Sequence, residues 1–143
     1  MATTSSVKWN KRRKRVDALV ATMALTDVGG GVALVSGDTV ELFALPAGAV
    51  VTDVIVNKKT VFNAGTSAVL SVGDGGSGTR YHSTIDVKTA VGMVAATAIP
   101  YQYTVSDTID GLITLVGTAA TTGELEVEVL FFSPNEDVGF MSE

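Results

Sequence analysis

Apolar and polar residues alternate with a period of two along much of the chain, which is the pattern of half-buried β-strands. The clearest case is residues 124–131, where Leu125, Val127, Val129 and Phe131 alternate with three glutamates. An antiparallel strand with one face in the core and the other in solvent has this pattern. We therefore predict a strand here whose glutamates point outward.

Other segments rich in β-branched and aromatic residues are also bounded by Gly, Pro or Asn. They predict strands at residues 39–45, 50–57, 60–62, 68–72, 101–105 and 109–116. The Pro46-Ala47-Gly48 turn indicates a corner between the first two of these strands. Asn63 and Gly65 favour a turn that makes 60–62 and 68–72 a hairpin, and Gly111 is a candidate bulge.

Three segments give weaker patterns. Residues 16–23 fit helical spacing, but their valines and threonine fit a strand equally well, and we favour the strand. Residues 87–99 are rich in Ala, Val and Thr and fit either a strand pair or a short helix. The glycine-rich residues 73–78 are expected to form a long, mobile connection.

Seven to nine short strands without a convincing helix predict an all-β fold, an antiparallel β-sandwich or jelly roll. The absence of helical crossovers argues against a parallel sheet. We expect an extended basic N-terminal arm at residues 1–16 and a single sandwich domain at residues 17–143. Free strand edges and an apolar content of 46% favour a homo-oligomer or attachment to a lattice.

Charge divides the chain into two unequal parts. Six of the ten Lys and Arg residues lie between positions 8 and 15, whereas residues 16–143 contain four basic and all fifteen acidic residues. The arm therefore carries about +6 and the body about −11. A run of cations repels itself as a free peptide and becomes ordered against an anionic surface. The candidate partner-binding residues are Lys8, Trp9, Lys11, Arg12, Arg13, Lys14 and Arg15.

Two kinds of partner fit this arm: nucleic acid, or an acidic protein surface, including that of a neighbouring copy. If all six charges met phosphates, affinity for nucleic acid would fall with salt at a log–log slope of roughly −5. Trp9 is a candidate anchor in an apolar pocket within either contact. The plainer alternative is a solvated tail that only aids solubility.

The sequence contains no recognisable catalytic or metal-binding pattern, so we predict a protein that is not an enzyme and has no cofactor. It has no Cys and only one His, His82, which excludes thiolate chemistry and leaves one base for a Ser-His-Asp arrangement. The loop at residues 73–80 lacks the Gly-Lys-Ser/Thr ending of a phosphate loop. The loop has one carboxylate, Asp74, and one carboxylate is too few to specify a calcium-binding site.

No apolar run approaches the roughly 20 residues that a membrane helix needs, so no membrane association is expected. The segment after Arg15 is interrupted by Asp17, Thr22, Thr26 and Asp27, which differs from a secretory signal. Export by that route is therefore not expected.

Several motifs resemble a known group of proteins. A strand at residues 38–45 runs into an LPAGA corner at 45–49, followed by FNAGTSA at 62–68 and LSVGD at 70–74. In this order they resemble small jelly-roll structural proteins of tailed bacteriophages. Residues 101–105 and the closing Glu/Val strand extend the resemblance over most of residues 38–132.

The resemblance implies a virion component, most often a capsid decoration or cement protein on the exterior of the head, made in the host cytoplasm. Its expected partner is the major capsid protein, bound by a homo-oligomer, a dimer or trimer, of this chain. A collar, head-fibre base or tail component is the alternative role within the virion. A nucleic-acid-binding module is a further alternative, which the acidic body disfavours because it repels DNA.

Overall fold

The computed structural model of this protein describes residues 14–25, 34–96 and 99–137, and it describes their side chains except those of residues 14–15 and 134–137. These residues form an all-β structure. In chain order the strands are β1 (Lys14–Ala24), β2 (Thr39–Leu45), β3 (Val50–Thr60), β4 (Ser67–Asp74), β5 (His82–Asp86), β6 (Gly92–Ala95), β7 (Tyr101–Gln102), β8 (Asp107–Val116) and β9 (Glu124–Asp137).

The strands form two antiparallel sheets that pack as a sandwich, as predicted. The first, called here the β1 sheet, has the order β1-β9-β3-β6, and β7 also pairs with β3. The second, called here the β2 sheet, has the order β2-β8-β4-β5. Within the described ranges, no helix is long and apolar enough to cross a bilayer.

The last strand confirms the prediction from the alternating glutamates. β9 lies between β1 and β3 and pairs with both over most of its length. Leu125, Val127 and Val129 are fully buried, and Phe131 is nearly so. Alternation along the strand therefore places the intervening glutamates on the outer face of the β1 sheet.

The core lies between the two sheets and is built mainly from aliphatic side chains. From the β1 sheet, Val51, Val54 and Val56 of β3 join the inner residues of β9. From the β2 sheet, the fully buried residues include Ala68, Leu70, Val72, Ile109 and Ile113. This packing of two inner faces is the main stabilising contact of a sandwich.

The predicted hairpin between residues 60–62 and 68–72 is wrong. β3 continues to Thr60 in the β1 sheet, whereas β4 lies in the β2 sheet. The chain between them crosses the end of the sandwich, and the amide of Phe62 donates to the carbonyl of Val87 at 2.9 Å. Phe62 itself is fully buried. Burial of this ring in the core outweighs the local turn preference of Asn63 and Gly65.

A glycine is required where β9 begins beside this ring. Gly123 has φ +155°, and a Cβ there would lie 2.2 Å from Cδ1 of Phe62. Any side chain at this position would displace the Phe62 ring. The absence of a Cβ at Gly123 is therefore what allows β9 to start against the buried end of the core.

Gly111 has a role different from the predicted bulge. The register between β2 and β8 shifts between Glu41 and Phe43, so the extra residue lies in β2. A Cβ at Gly111 would lie 2.8 Å from Sδ of Met23. This glycine makes room for the buried Met23 side chain of the opposite sheet.

The weaker patterns are resolved by sheet pairing. Residues 16–23 form part of β1, which confirms the strand that we favoured. The stretch 87–99 contains one short strand, β6, rather than a strand pair or a helix in its described part. The strand predicted at 101–105 is limited to the two residues of β7.

Candidate functional site

The basic arm falls largely outside the described residues. Lys8, Trp9, Lys11, Arg12 and Arg13 precede the first of them. β1 begins at Lys14, so the last three residues that we assigned to the arm, 14–16, form the beginning of this strand. The arm consequently joins the body at one end of the β1 sheet, beside the position where Lys14 pairs with Asp137 of β9.

An apolar surface follows directly from this junction on the outer face of the β1 sheet. Val16 and Val20 of β1 are 48% and 56% exposed. Because β1 pairs in register with β9 and β9 with β3, outward side chains of the three strands lie side by side. The outer apolar surface, as it is called below, consists of Val16, Ala18, Val20, Val50, Ile55, Leu130 and Phe132, and two carboxylates lie among them in the register: Asp53 opposite Leu130, and Glu128 between Val20 and Ile55.

The same face becomes acidic toward the other end of β1. Glu128, Glu126 and Glu124 lie opposite Val20, Thr22 and Ala24 in the register. Glu126 forms a salt bridge of 2.8 Å with Lys59, whose hydrogen bond and charge interaction with Glu126 raise the pKa of the Lys59 ammonium. One lysine against three glutamates leaves this end of the face negative.

The outer face of the β2 sheet has a different composition. Its outward positions on the three longer strands are largely polar, and they include Thr39, Glu41, Ser67, Ser71, Asp110 and Thr114. Leu112 and Val69 are the apolar members near its middle, and both are partly buried. The larger set of outward apolar residues is therefore on the β1 sheet.

A buried polar network, not anticipated from the sequence, lies at the end of β4. The Asp74 side chain has no exposed area and forms a salt bridge with Nε of Arg80. It also accepts hydrogen bonds from the amides of Gly76 (3.0 Å) and Ser77 (2.8 Å) and from the hydroxyl of Tyr103 (2.8 Å). The glycine-rich connection that we predicted to be mobile is thus closed around one carboxylate.

The network joins the two sheets. Asp74 ends β4 in the β2 sheet, whereas Tyr103 follows β7 and donates its amide to Ala49 beside β3 in the β1 sheet. The hydroxyls of Tyr103 and Tyr81 lie 2.7 Å apart. Arg80 also stacks over the ring of Tyr101 at 3.9 Å. These contacts connect the sandwich layers at one end.

Ionisation in the network follows from its contacts. Burial alone would raise the pKa of Asp74, but the hydrogen bonds from Arg80, Tyr103 and the Ser77 amide together hold this pKa below its usual value. Burial raises the pKa of Tyr81 to about 12 and also raises that of Tyr103. The network therefore contains an ionised Asp74, a cationic Arg80 and two neutral tyrosines at neutral pH.

The groups of this network are engaged with one another and with the backbone, and these contacts stabilise the fold. The lone pairs of Asp74 are directed at protein donors, and Arg80 balances its charge. His82 is buried, and its Nε2 donates to the carbonyl of Val54 at 2.9 Å. In the described part of the chain no three His, Cys, Asp or Glu side chains converge as metal ligands do.

Three carboxylates near one another on β2 and β8 create local repulsion. Asp110 lies opposite Glu41, and Asp107 is on the same strand as Asp110. Burial, with the charges of Glu41 and Asp107, raises the pKa of Asp110 despite an opposing hydrogen bond from Thr108. A raised pKa in the folded state means that ionisation of Asp110 opposes folding at neutral pH.

Replacing Asp110 with Asn is therefore expected to stabilise the protein at pH 7. The free energy of unfolding at pH 7 should rise by about 0.5–1 kcal/mol, which is within the range for single surface-charge changes. As the pH falls through the raised pKa of Asp110 toward the unfolded value, the wild-type carboxyl becomes neutral and the gain should disappear. Urea unfolding of both proteins at pH 7 and pH 3 measures this difference, and an equal gain at both values would contradict the assignment to charge.

Comparisons with known proteins identify the fold. No protein-family profile and no curated protein sequence matches the chain. A chain of the cyanophage Pam1 capsid asymmetric unit is 21% identical with a TM-score of 0.68, covering 94% of both chains. A chain of the acid-stable capsid of Helicobacter pylori bacteriophage KHP30 is 16% identical with a TM-score of 0.66, covering 87% of this chain and 95% of that one.

A third similar structure is a chain of the capsid of Ralstonia phage GP4. It is 20% identical with a TM-score of 0.57, and the match covers 95% of this chain and 92% of that one. At these identities the likeness establishes a shared sandwich fold over nearly the full length of each chain.

Proposed function

We propose that this chain is a non-enzymatic structural protein of a bacteriophage virion that binds and stabilises the capsid shell as a decoration or cement protein. The observation that carries the proposal is the match, over nearly the whole of both chains, to components of three phage capsid structures. The motifs at residues 45–49, 62–68 and 70–74 had pointed to the same group of proteins.

The distribution of charge supports a docking role. The body is acidic, whereas the arm concentrates six cations next to one end of the β1 sheet. An arm of this kind can lie along an acidic groove between shell subunits, with Trp9 as an apolar anchor. We therefore assign contact with the major capsid protein to Lys8, Trp9, Lys11, Arg12, Arg13, Lys14 and Arg15.

The proposed role does not require strong individual contacts. Exposed ion pairs contribute about 0.2–1 kcal/mol each, but a shell presents many equivalent sites to a homo-oligomer. Multivalent attachment raises avidity by roughly 10²–10⁴ without new contacts. A dimer or trimer on the capsid exterior would gain avidity in this way. Such an oligomer is also consistent with the exposed apolar surface of the β1 sheet.

Quantitative mass spectrometry of the purified virion tests the proposal. A copy number close to that of the major shell protein, or a simple fraction of it, is expected for a decoration protein. A handful of copies per particle would place the chain in the collar, head fibre or tail instead. Absence from the particle would contradict any virion role.

A second measurement separates shell binding from nucleic-acid binding. Purified protein is mixed with empty shells that lack it and, in parallel, with duplex DNA at the same ionic strength. We expect cosedimentation with the shells and weak binding to DNA, because the body charge of about −11 opposes DNA. DNA binding with a steep salt dependence and no shell binding would favour the nucleic-acid-binding module.

A further inference from the structure

We propose that Trp9 of one copy of this chain docks in a cavity at the far end of the sandwich of another copy. The inference rests on the homo-oligomer part of the proposed function and deepens it by naming the side chain and the cavity that join neighbouring copies. It follows from the lining of the cavity, its distance from the arm and the charges beside it.

The cavity lies at the end of the sandwich where β1 and β8 end and β9 begins. Its volume is ≈ 310 Å³, near the lower limit of about 300 Å³ for small-molecule pockets. A space of this size accommodates one large aromatic side chain. None of the residues that line it is charged, and its apolar side chains belong to Leu25, Leu34, Val35, Leu115, Ala119 and Ala120.

The mouth of the cavity leaves apolar area in solvent. Leu25 and Leu34 are buried, whereas Val35 is 61% exposed. An aromatic ring that filled the cavity would cover Val35 and remove this area from water, which favours binding.

The arm of the same copy cannot reach this cavity. β1 runs from Lys14 at one end of the sheet to the other end, so about 36 Å separates Lys14 from Leu25 at about 3.3 Å per residue. Trp9 precedes Lys14 by five residues, which span at most about 18 Å when fully extended. Half of the distance stays uncovered, and an indole side chain is too short to bridge it. Trp9 can therefore enter only the cavity of another copy.

Two carboxylates lie beside the cavity. Asp38 accepts a hydrogen bond of 3.2 Å from the amide of Val35. Glu124 follows the residue whose carbonyl accepts from the amide of Leu25 at 3.1 Å. Lys59 also interacts with Glu124, but its ammonium is bound to another glutamate. The entrance therefore carries net negative charge, which favours an apolar group with cations on either side.

The arm is the terminal segment that meets this condition. Lys8 immediately precedes Trp9, and Lys11 follows it by two residues. The segment after residue 137 contains an aromatic residue, Phe140, but no cation. Trp9 is therefore the occupant that the cavity and its charges specify together, and the cations after Lys11 remain for the shell.

The fluorescence of Trp9 tests the docking directly, because this residue is the only tryptophan of the chain. In the purified protein without shells, its emission should lie at shorter wavelength than in the urea-unfolded chain. Dilution should reverse this shift over the concentration range in which sedimentation velocity shows the oligomer dissociating. A shift that persists in the monomer, or no shift at any concentration, would overturn the inference.

Single substitutions test the two sides of the contact by sedimentation velocity. Trp9→Ala should raise the dissociation constant of the oligomer by at least about thirtyfold, as for a tryptophan at the centre of an interface. Val35→Asn places an amide against the indole ring and should raise it about fivefold or more. Val91→Asn is the matched control, since Val91 is 59% exposed beside β6, across the sheet from β1. This control and Phe140→Ala should both associate as the wild type does.

Mixing two defective variants separates docking between copies from any loss of folding. Val35→Asn retains Trp9 but has an altered cavity, whereas Trp9→Ala retains the cavity and emits no tryptophan fluorescence. Adding Trp9→Ala to Val35→Asn should shift the emission to shorter wavelength, because Trp9 of the second variant enters the intact cavity of the first. The double variant Trp9→Ala/Val35→Asn is the control addition and should produce no shift. Equal effects of the two additions would contradict the assignment to this cavity.

The outcomes distinguish this inference from the proposed function, because none of these measurements involves shells. An oligomer that survives Trp9→Ala would have its interface elsewhere, for example on the outer apolar surface, and would overturn the inference while the virion role stands. Exposed Trp9 in the free protein, combined with loss of shell binding in Trp9→Ala, would also overturn it. In that case the shell protein binds the ring.

Discussion

Replacing Asp74 with Ala is expected to destabilise the protein by about 3 kcal/mol, the lower end of the range for breaking a buried ion pair. The lower end applies because the Arg80 side chain is 23% exposed and can regain water. The change also leaves the hydroxyl of Tyr103 and the amides of Gly76 and Ser77 without their acceptor. For a domain of this length, a loss of about 3 kcal/mol in the free energy of unfolding lowers Tm by about 10 °C.

Asp86→Ala is the matched control for this change. Asp86 also accepts hydrogen bonds from a turn, through the amides of Lys88 and Thr89, but it is exposed. Calorimetry should show a shift in Tm several times smaller than that of Asp74→Ala. Two equal shifts would mean that the buried network contributes no more than an exposed turn.

The effect of pH follows from the same group. Because the pKa of Asp74 is depressed in the folded state, its contribution is complete above the ordinary Asp pKa of about 3.9. The contribution is lost as the pH falls through the lower folded value. Asp74→Asn should therefore flatten the decline of stability below pH 4. An unchanged acid decline in Asp74→Asn would assign that decline to other carboxylates.

Removing residues 1–13 is expected to abolish detectable shell binding while leaving the sandwich folded. The deletion removes four of the arm's six cations and Trp9, and the β1 sheet begins at Lys14. At 0.2–1 kcal/mol per exposed pair, the four cations alone contribute about 1–4 kcal/mol for each bound chain. Multiplied over the two chains of a dimer, this loss weakens attachment by at least about thirtyfold. Cosedimentation with empty shells measures it.

The charge of the arm can be tested without shortening the chain. Changing Lys11, Arg12 and Arg13 to Gln keeps Trp9 and the arm length, and it should weaken shell binding nearly as much as the deletion. Changing Lys58, Lys59 and Lys88 to Gln removes the same number of charges from the body as a control and should leave binding intact. If the two triple variants behave alike, net charge rather than the arm determines attachment.

The local elements of the fold could be predicted from the sequence because they depend on short-range patterns. The alternation at residues 124–131 fixes which side chains of β9 are buried, since inward and outward positions differ sharply in polarity. The same reasoning predicted β2, β3 and the sandwich class. The concentration of cations at residues 8–15 is likewise a property of the sequence alone.

The network around Asp74 could not be predicted in this way. Arg80 is six residues from Asp74, but Tyr103 is 29 residues away, and only the packing of the two sheets brings it to the carboxylate. A glycine-rich loop with one Asp has the same local pattern whether it is free or closed. The hairpin prediction failed for a related reason, because Phe62 is buried by contacts with segments distant in sequence.

The sequence by itself determined strands β2, β3, β4, β8 and β9, the sandwich class and the separation of a basic arm from an acidic body, because each depends on neighbouring residues. The tertiary structure alone decided which side of β1 is exposed. Both sides are apolar, with Leu19, Ala21 and Met23 on one and Val16, Ala18 and Val20 on the other, so alternation gives no answer. Pairing with β9 turns Met23 into the core and leaves Val16 and Val20 on the surface.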